Sequence, residues 1–244
     1  MPRNADGTLD YPSFEELAQQ AGSGFETLTK EKYLSIFAGS TDPVKKLGWA
    51  DLYTDMSIDG VTMPLTGEAA VNPQIPVVVM PFTMCHEMAH RMCIATERDA
   101  HLSAFLACDA NSDPIFRYSG YFMAFRYCYN ALASVGTSAS SAACSKIYAG
   151  ICDELQTDLT AYRAHYAANK NETATKLATS ANDTYLKASG NESGVGSYGE
   201  VTDLLVSWYI QEIYTPAHQD EVVVFDPMDK TQVDLSEPVA TEGE

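Results

Sequence analysis

Apolar and polar positions near the start of the chain predict a short helical region followed by strands. Ser13 followed by Glu16 forms a capping box, which predicts that a helix opens here. A second short helix is predicted from Thr29 to Phe37. Residues 55–72 have strand character, with Asp59-Gly60 as a hairpin turn and prolines that favour edge strands.

From Pro81 onward, apolar residues recur mainly at helical spacing. Pro81 fits the first turn of a helix that ends near residues 93–95. Thr96, with Asp99 three residues later, then predicts the start of the next helix. Further helices are predicted at 102–110 (continuing the second of these), 118–135, 140–168, 171–188 and 198–214, with a glycine- and serine-rich loop at 190–197. The aromatic stripe in 118–135 follows helical periodicity and predicts core. The predicted fold class is therefore α+β and mostly helical, with a small mixed sheet or hairpin.

Length, net charge and the distribution of apolar residues limit the number of domains and the kinds of partner that the chain can have. The length of 244 residues suits one domain, predicted at 12–218 between a flexible arm (1–11) and an acidic, largely disordered tail (219–244). The net charge of -18 argues against nucleic acid and against docking on anionic lipid. No run of about 18 apolar residues occurs and the start lacks a signal-peptide core, so the chain alone is expected to be soluble.

The six cysteines do not form a metal or redox motif of the C-x-x-C kind. Cys85, Cys108 and Cys128 lie in apolar helical patterns and are predicted to be buried free thiols. Cys144 and Cys152 are spaced so that they could pair across a short loop. The redox compartment therefore stays open.

The most informative motif is the run His86-Glu87-Met88-Ala89-His90, which has the pattern H-E-x-x-H. Positions i and i+4 of a helix lie on one face, so His86 and His90 can offer two imidazole nitrogens to one zinc ion. Glu87 would then lie close to a water molecule at that ion. This combination predicts zinc-assisted hydrolysis of an amide bond.

Such a site needs a third protein ligand. The helix break predicted at Thr96 would turn Glu97 back towards the histidines, which favours Glu97, with Asp99 as the alternate. Cys93 follows His86 by seven residues, but three ligands on one straight helix make tetrahedral closure difficult. His101 is a natural ligand by residue type and is a further alternative.

Several segments together resemble the family catalogued as domain of unknown function 3810. They are the active-site helix at 81–90, the segment at 64–72 that contains Pro-Leu-Thr-Gly-Glu, the acidic segment at 97–101, the segments at 105–108 and 116–121, and the run Ser-Tyr-Gly-Glu-Val-Thr-Asp-Leu-Leu at 197–205. The likeness covers roughly residues 12–215. The resemblance implies a zincin-like bacterial metallopeptidase domain with a small sheet or hairpin above the H-E-x-x-H helix. It also implies a membrane-associated protein with an extracytoplasmic catalytic domain.

Three departures from the family pattern bear on the site. The family usually has glycine where this chain has Cys93, at a point where the backbone must turn. Its asparagine after the acidic pair is His101 here. The membrane spans that usually precede the family's catalytic domain are not present in this chain.

The mechanism expected from the motif and the resemblance is of the gluzincin type, with a peptide or protein as substrate. His86, His90 and Glu97 would hold Zn²⁺, and Glu87 would act as general base and then as general acid. A further donor must stabilise the oxyanion. Tyr198 is favoured for this role because it lies in a glycine-flanked segment that matches the family.

Four other residues are candidates for supporting roles. Tyr118 and Tyr121 are the alternative oxyanion donors. The more frequent role of such a residue, however, is that of a buried tyrosine with one hydrogen bond and no part in catalysis. Glu68 could orient a ligand histidine, and Arg117 could pair with the acidic segment or bind a substrate carboxylate.

Two competing hypotheses keep the fold and change the function. A degenerate zincin would act as a binding or scaffold module, but Glu87 and both histidines of the motif are intact, which counts against it. A zinc amidohydrolase would act on a non-protein amide of the cell wall. The sequence does not separate this class from a peptidase.

Overall fold

The computed structural model describes residues 1–5, 7–31, 36–63, 65–169 and 198–217. Helix α1 (Phe14–Glu31) begins at the predicted capping box: the Ser13 amide donates to Glu16 Oε2 at 2.9 Å. Its buried stripe, formed by Leu17, Ala21, Phe25 and Leu28, repeats at helical spacing up to Thr29. The prediction of a separate helix from Thr29 is therefore wrong at its start, and Phe37 is buried outside any helix. Residues 32–35 lie outside the described chain.

A small three-stranded sheet follows, formed by β1 (Lys45–Lys46), β2 (Gly60–Met63) and β3 (Glu68–Val71), with helix α2 (Ala50–Asp55) between β1 and β2. The strand order is β1-β3-β2; β1 runs parallel and β2 antiparallel to β3. The predicted hairpin turn at Asp59-Gly60 is wrong, because Gly60 is the first residue of β2 and pairs with Val71. The turn lies between β2 and β3, where Gly67 has a φ of 67°.

Helix α3 (Met80–Arg91) is the centre of the core. Its residues from Met80 to Ala89 are all buried, and it contacts α1, β2, β3, α4 (Glu97–Ala110) and α5 (Pro114–Ser134). Pro81 lies in its first turn, as predicted. The Phe82 amide, which has no partner within the helix, donates to Ser119 Oγ at 3.1 Å.

The C-terminal half of the described chain is helical and differs from the prediction in two places. Pro114 begins α5, with Asp113 as its N-cap. The single helix predicted at 140–168 is divided into α6 (Ser138–Gly150) and α7 (Asp153–Ala168), because Ile151 and Cys152 are extended. Helix α8 (Tyr198–Tyr209) continues as a π-helical segment (Ile210–Tyr214) and α9 (Thr215–Ala217). The described fold is thus α+β and mostly helical, as predicted.

Some predictions fall on residues that are not described, namely the helix at 171–188, the loop at 190–197 and the acidic tail at 219–244. The aromatic stripe of α5 is only partly core, since Phe122 is 2% exposed and Tyr121 is 45% exposed. Cys85 and Cys108 are buried free thiols, as predicted, and Cys128 is half-buried. Cys144 and Cys152 are also free and are not joined.

The N-terminal segment packs against α7. Arg3 pairs with Leu9 in an isolated β-bridge, and its guanidinium donates to both carboxylate oxygens of Asp158 at 2.9 and 2.7 Å. Asp158 is 4% exposed and also accepts a hydrogen bond from the Tyr118 hydroxyl. These contacts tether the segment that its polar sequence predicted as a flexible arm.

Candidate metal centre

The two histidines of the motif face each other across one turn of α3. His86 Nε2 lies 3.1 Å from His90 Nε2. His86 is 8% exposed, and the side chain of His90 is 18% exposed. Helical geometry therefore brings both nitrogens to one point at the edge of the core.

Glu97 completes this point from the next helix. After α3 the chain turns at Cys93, which has a φ of 69°, and α4 then begins with Thr96 as its N-cap, accepting from the Asp99 amide at 3.2 Å. Glu97, the first residue of α4, is brought back to the histidines. Its Oε2 lies 3.3 Å from His86 Nε2, and its Oε1 lies 3.6 Å from His90 Nε2.

These separations match a tetrahedral metal site. Nitrogen and oxygen ligands at about 2.0–2.1 Å from a tetrahedral ion are about 3.3–3.4 Å from one another. The observed separations are 3.1 Å between the two nitrogens and 3.3 and 3.6 Å from the nitrogens to Glu97, the last two measured to different oxygens of its carboxylate. Two imidazoles and one carboxylate are a donor set that zinc accepts, and the fourth position of such a site would be left for water.

Hydrogen bonds at the opposite ring nitrogens favour metal binding. His90 Nδ1 lies 2.8 Å from the Ile94 carbonyl oxygen, which can only accept, so Nδ1 carries the proton and Nε2 of the neutral ring keeps its lone pair. His86 Nδ1 lies 2.8 Å from His101 Nδ1. If His101 accepts there, His86 Nε2 is likewise a lone pair. Three lone-pair donors would then converge, an arrangement that a metal ion or a shared proton between them would stabilise.

Electrostatics agree with a site that attracts positive charge. Burial raises the pKa of Glu97, but hydrogen bonds and charge from His86 and His90 outweigh it and hold the pKa well below its usual range. Burial lowers the pKa of His90, and the Glu97 carboxylate more than reverses this. Burial, together with the charge of His86, holds the pKa of His101 well below its usual value, which keeps that ring neutral.

The Glu87 side chain lies against β2. Glu87 is 5% exposed, and its carboxylate accepts a hydrogen bond from Thr62 Oγ1 at 2.7 Å; the same hydroxyl lies 2.9 Å from the Glu87 carbonyl oxygen. A Cβ on Gly60 would lie 2.5 Å from Glu87 Oε1 and 2.7 Å from Cγ. Burial raises the pKa of Glu87, against the lowering effect of the two histidines and Thr62.

The alternatives for the third ligand lie elsewhere. Cys93 is exposed in the turn. The Asp99 amide donates to the N-cap hydroxyl of Thr96, and its carboxylate pairs with Arg98 at 3.0 Å. His101 can be grouped with His86 and Glu97, with ligand atoms within 4.8 Å. However, His101 approaches His86 at Nδ1, whereas Glu97 approaches it at Nε2. His101 therefore contacts the ring nitrogen of His86 that faces away from Glu97.

Of the remaining sequence candidates, Glu68, Tyr118 and Tyr121 have partners away from the histidines. Glu68 pairs with Lys45 on the exposed sheet. Tyr118 donates to Asp158, and Tyr121 donates to Asp109 at 3.0 Å. Arg117 is exposed on α5. The backbone of Tyr198 begins α8, but its side chain lies outside the described residues.

Sequence reasoning missed the residues that support the site from outside the motif. The sequence indicates Gly60 as a turn glycine, and Thr62 carries no signal there beyond strand propensity. His101 is indicated only as a possible ligand. A hydrogen bond from Tyr166 to Asp59, at 2.6 Å, links residues 107 positions apart and has no counterpart in any sequence motif.

Comparison with known proteins bears on the family alone. Searches of the curated proteins and of the solved structures found no match to this chain. Within the described residues, no helix is long and apolar enough to cross a membrane. A family model does match, over residues 3–206. The chain therefore belongs to the family described as protein of unknown function DUF3810.

Proposed function

We propose that this protein is a zinc-dependent metallopeptidase of zincin type, with His86, His90 and Glu97 as metal ligands. The observation that carries the proposal is the convergence of two Nε2 atoms and one carboxylate at separations of 3.1–3.6 Å. A buried glutamate, Glu87, lies next to the first of these ligands in the chain. Metal, base and helix together are the parts that the H-E-x-x-H pattern needs for hydrolysis.

Each side chain has a defined task in this proposal. A zinc ion bound by the three ligands would supply Lewis acidity and lower the pKa of a water molecule towards neutrality. Glu87 would accept a proton from the attacking water and pass it to the leaving amine. Burial favours this role, because the raised pKa of Glu87 makes the carboxylate a stronger base. Thr62 holds Oε2 in one orientation.

The position of β2 supports a peptide as substrate. In the described part of the chain β2 pairs with β3 on one side only, and it contacts α3. An extended peptide can add to such an edge through backbone hydrogen bonds. A strand edge above the H-E-x-x-H helix is also the basis for proposing a zincin-type fold. Tyr198 stays the proposed oxyanion donor from the sequence.

The first test is the metal content of purified wild-type protein beside three variants. We expect one zinc per chain in the wild type, and loss of zinc in both His90→Ala and Glu97→Ala. Asp99→Ala is the matched control, since its carboxylate is also near the start of α4 but pairs with Arg98. Absence of zinc from reconstituted wild-type protein would refute the proposal. Loss of zinc in Asp99→Ala but not in Glu97→Ala would move the third ligand.

The second test separates an enzyme from a scaffold. Glu87→Gln keeps the shape of the side chain and removes the base, so we expect zinc to be retained and cleavage of a quenched-fluorescent peptide library to fall by about 10²–10⁴-fold. Zinc binding without cleavage by the wild type would favour the binding-module hypothesis. Cleavage of cell-wall amides but not of peptides would favour the amidohydrolase.

A further inference from the structure

Helix α7 reaches the residue before β2 through the side chain of Tyr166. The Tyr166 hydroxyl donates to Asp59 Oδ2 at 2.6 Å. The Tyr166 ring packs against Tyr162 of the same helix, with ring centroids 4.7 Å apart. Arg126 of α5 lies over the Tyr162 ring at 3.8 Å. The Tyr166 phenol is thus held in place by the Tyr162 ring, which is itself covered by the guanidinium of Arg126.

Asp59 stands immediately before the strand that contacts Glu87. Gly60 lies against the Glu87 carboxylate, and Thr62 donates to it. Residues 59–62 span about 10 Å at the rise of an extended strand, so a shift at Asp59 is passed directly to both contacts. Gly60 has no room to move inward, because even a Cβ there would overlap Glu87.

The strand is held on its other side by the sheet. The Asn72 amide donates to the Asp59 carbonyl oxygen at 2.8 Å, and Gly60 pairs with Val71 of β3. Asn72 also donates from its side chain to Thr54 Oγ1 at 2.9 Å. The hydrogen bond from Tyr166 to Asp59 therefore fixes the start of β2 from the side of helix α7.

The pKa of Asp59 is shifted strongly, as is common for carboxyl groups near functional sites. Burial raises the pKa of Asp59 to about 6, although the hydrogen bond from Tyr166 and the charge of Arg126 both lower it. The charges of Glu87 and His86 also act on this carboxyl. Strongly perturbed carboxyls within reach of a candidate base are enriched at active sites.

We infer that Tyr166 and Asp59 are positioning residues of the proposed active site: their hydrogen bond fixes the start of β2, and β2 in turn fixes the carboxylate of Glu87. The inference rests on the proposed peptidase function for its effect on rate. It assigns to α7 a role in the reaction, although α7 carries no metal ligand.

The test compares four variants for zinc content, hydrogen exchange of the amides of residues 60–63, and kcat and KM of peptide cleavage. Tyr166→Phe removes the donor and Asp59→Ala removes the acceptor. Asp59→Asn keeps an oxygen acceptor and is the conservative rescue. Tyr129→Phe is the matched control, a tyrosine of α5 whose ring stacks on Phe125.

We expect Tyr166→Phe and Asp59→Ala to keep one zinc per chain. Their exchange at residues 60–63 should rise by about two- to tenfold, the range for loss of one hydrogen bond. Their kcat should fall by at least about tenfold, with little change in KM, since a misplaced base affects the chemical step. Asp59→Asn should lie close to wild type, and Tyr129→Phe should be unchanged in all three measurements.

Unchanged exchange at residues 60–63 in Tyr166→Phe, or an equal rise in Tyr129→Phe, would overturn the inference. Faster exchange with unchanged kcat would also overturn it and leave the peptidase standing. If the wild type binds zinc and cleaves nothing, the proposed function fails by itself. The exchange data then decide alone whether Tyr166 and Asp59 fix β2.

Discussion

The carboxylate of Glu87 is positioned by β2 as much as by its own helix. Thr62 donates to Oε2 at 2.7 Å, and the missing side chain of Gly60 leaves the space that Oε1 occupies. The histidines are oriented in a similar way, His90 by the Ile94 carbonyl and His86 by His101. At the scale of residues, the proposed chemistry therefore depends on neighbours that neither bind the metal nor react.

Gly60→Ala tests the space beside the base. The new Cβ would lie 2.5 Å from Glu87 Oε1, so the carboxylate must move while the three ligands stay in place. We expect zinc to be retained and kcat/KM for peptide cleavage to fall by roughly 10–100-fold. Gly48→Ala is the control, since its Cβ would meet nothing within 4 Å. Equal activity of the two variants would contradict this account of Gly60.

Asp59 predicts a dependence of stability on pH. Its pKa is raised from 3.8 to about 6 in the folded protein, so between these values the folded state holds more protons than the unfolded state. This group therefore makes the free energy of unfolding fall as pH rises from about 4 to 6. Asp59→Asn does not titrate, so the difference in unfolding free energy, variant minus wild type, should increase across that range. Chemical denaturation of metal-free protein measures it, and a constant difference would refute the shift.

The turn between α3 and α4 decides which acidic residue reaches the histidines. Cys93 adopts a φ of 69°, the Cys93 amide donates to the His90 carbonyl oxygen at 2.9 Å, and Thr96 then caps α4. The left-handed residue reverses the chain within a few positions, so Glu97 in the first turn of α4 faces back to α3. At the scale of elements, the site consists of two helix ends and the strand that covers them.

Cys93→Gly tests the strain in this turn. A side chain at positive φ is disfavoured, whereas glycine adopts that conformation freely. We expect Cys93→Gly to raise the free energy of unfolding by about 0.5–1 kcal/mol, after allowing for the greater freedom of glycine in the unfolded chain. Cys93→Ala keeps the strain and should not be stabilised. Urea denaturation of both variants measures the difference, and equal stabilities would show that the turn is not strained.

The N-terminal segment and α7 hold the described molecule together around α5. Arg3 joins Asp158 across 155 positions, and Tyr166 joins Asp59 across 107. The family match begins at residue 3, so it includes this segment. At the scale of the whole molecule, α7 is thus linked both to the N-terminal segment and to the residue that precedes β2.

Arg3→Met tests the ion pair between Arg3 and the buried carboxylate of Asp158. Asp158 is 4% exposed and would keep only Tyr118 as a side-chain partner. Loss of one partner of a buried pair usually costs about 3–5 kcal/mol; here we expect roughly 2 kcal/mol, since the Arg3 side chain is 17% exposed. Zinc content should not change. The control is Lys46→Met, which removes an exposed pair with Glu15 and should leave the unfolding free energy nearly unchanged.

The sequence by itself determined the features that depend on local spacing. His86 and His90 share a face because residues i and i+4 of any helix do so. Thr96 marks the break before α4 because an N-cap hydroxyl satisfies a free amide of the first turn. The mostly helical class and the family also follow from patterns along the chain. The prediction of one helix at 140–168 failed because two extended residues, Ile151 and Cys152, separate two helices there.

Only the tertiary structure decided which side chains meet. Asp99, His101 and Cys93 were open alternatives to Glu97 because ligand approach depends on the dihedral angles of the turn, which composition does not specify. Gly60 carries a turn signal, yet it pairs with Val71 in β2, and the carboxylate of Glu87 occupies the space that a Cβ there would need. The contact of Tyr166 with Asp59 joins residues 107 positions apart, and no local pattern encodes a pairing that exists only once β2 and α7 are packed.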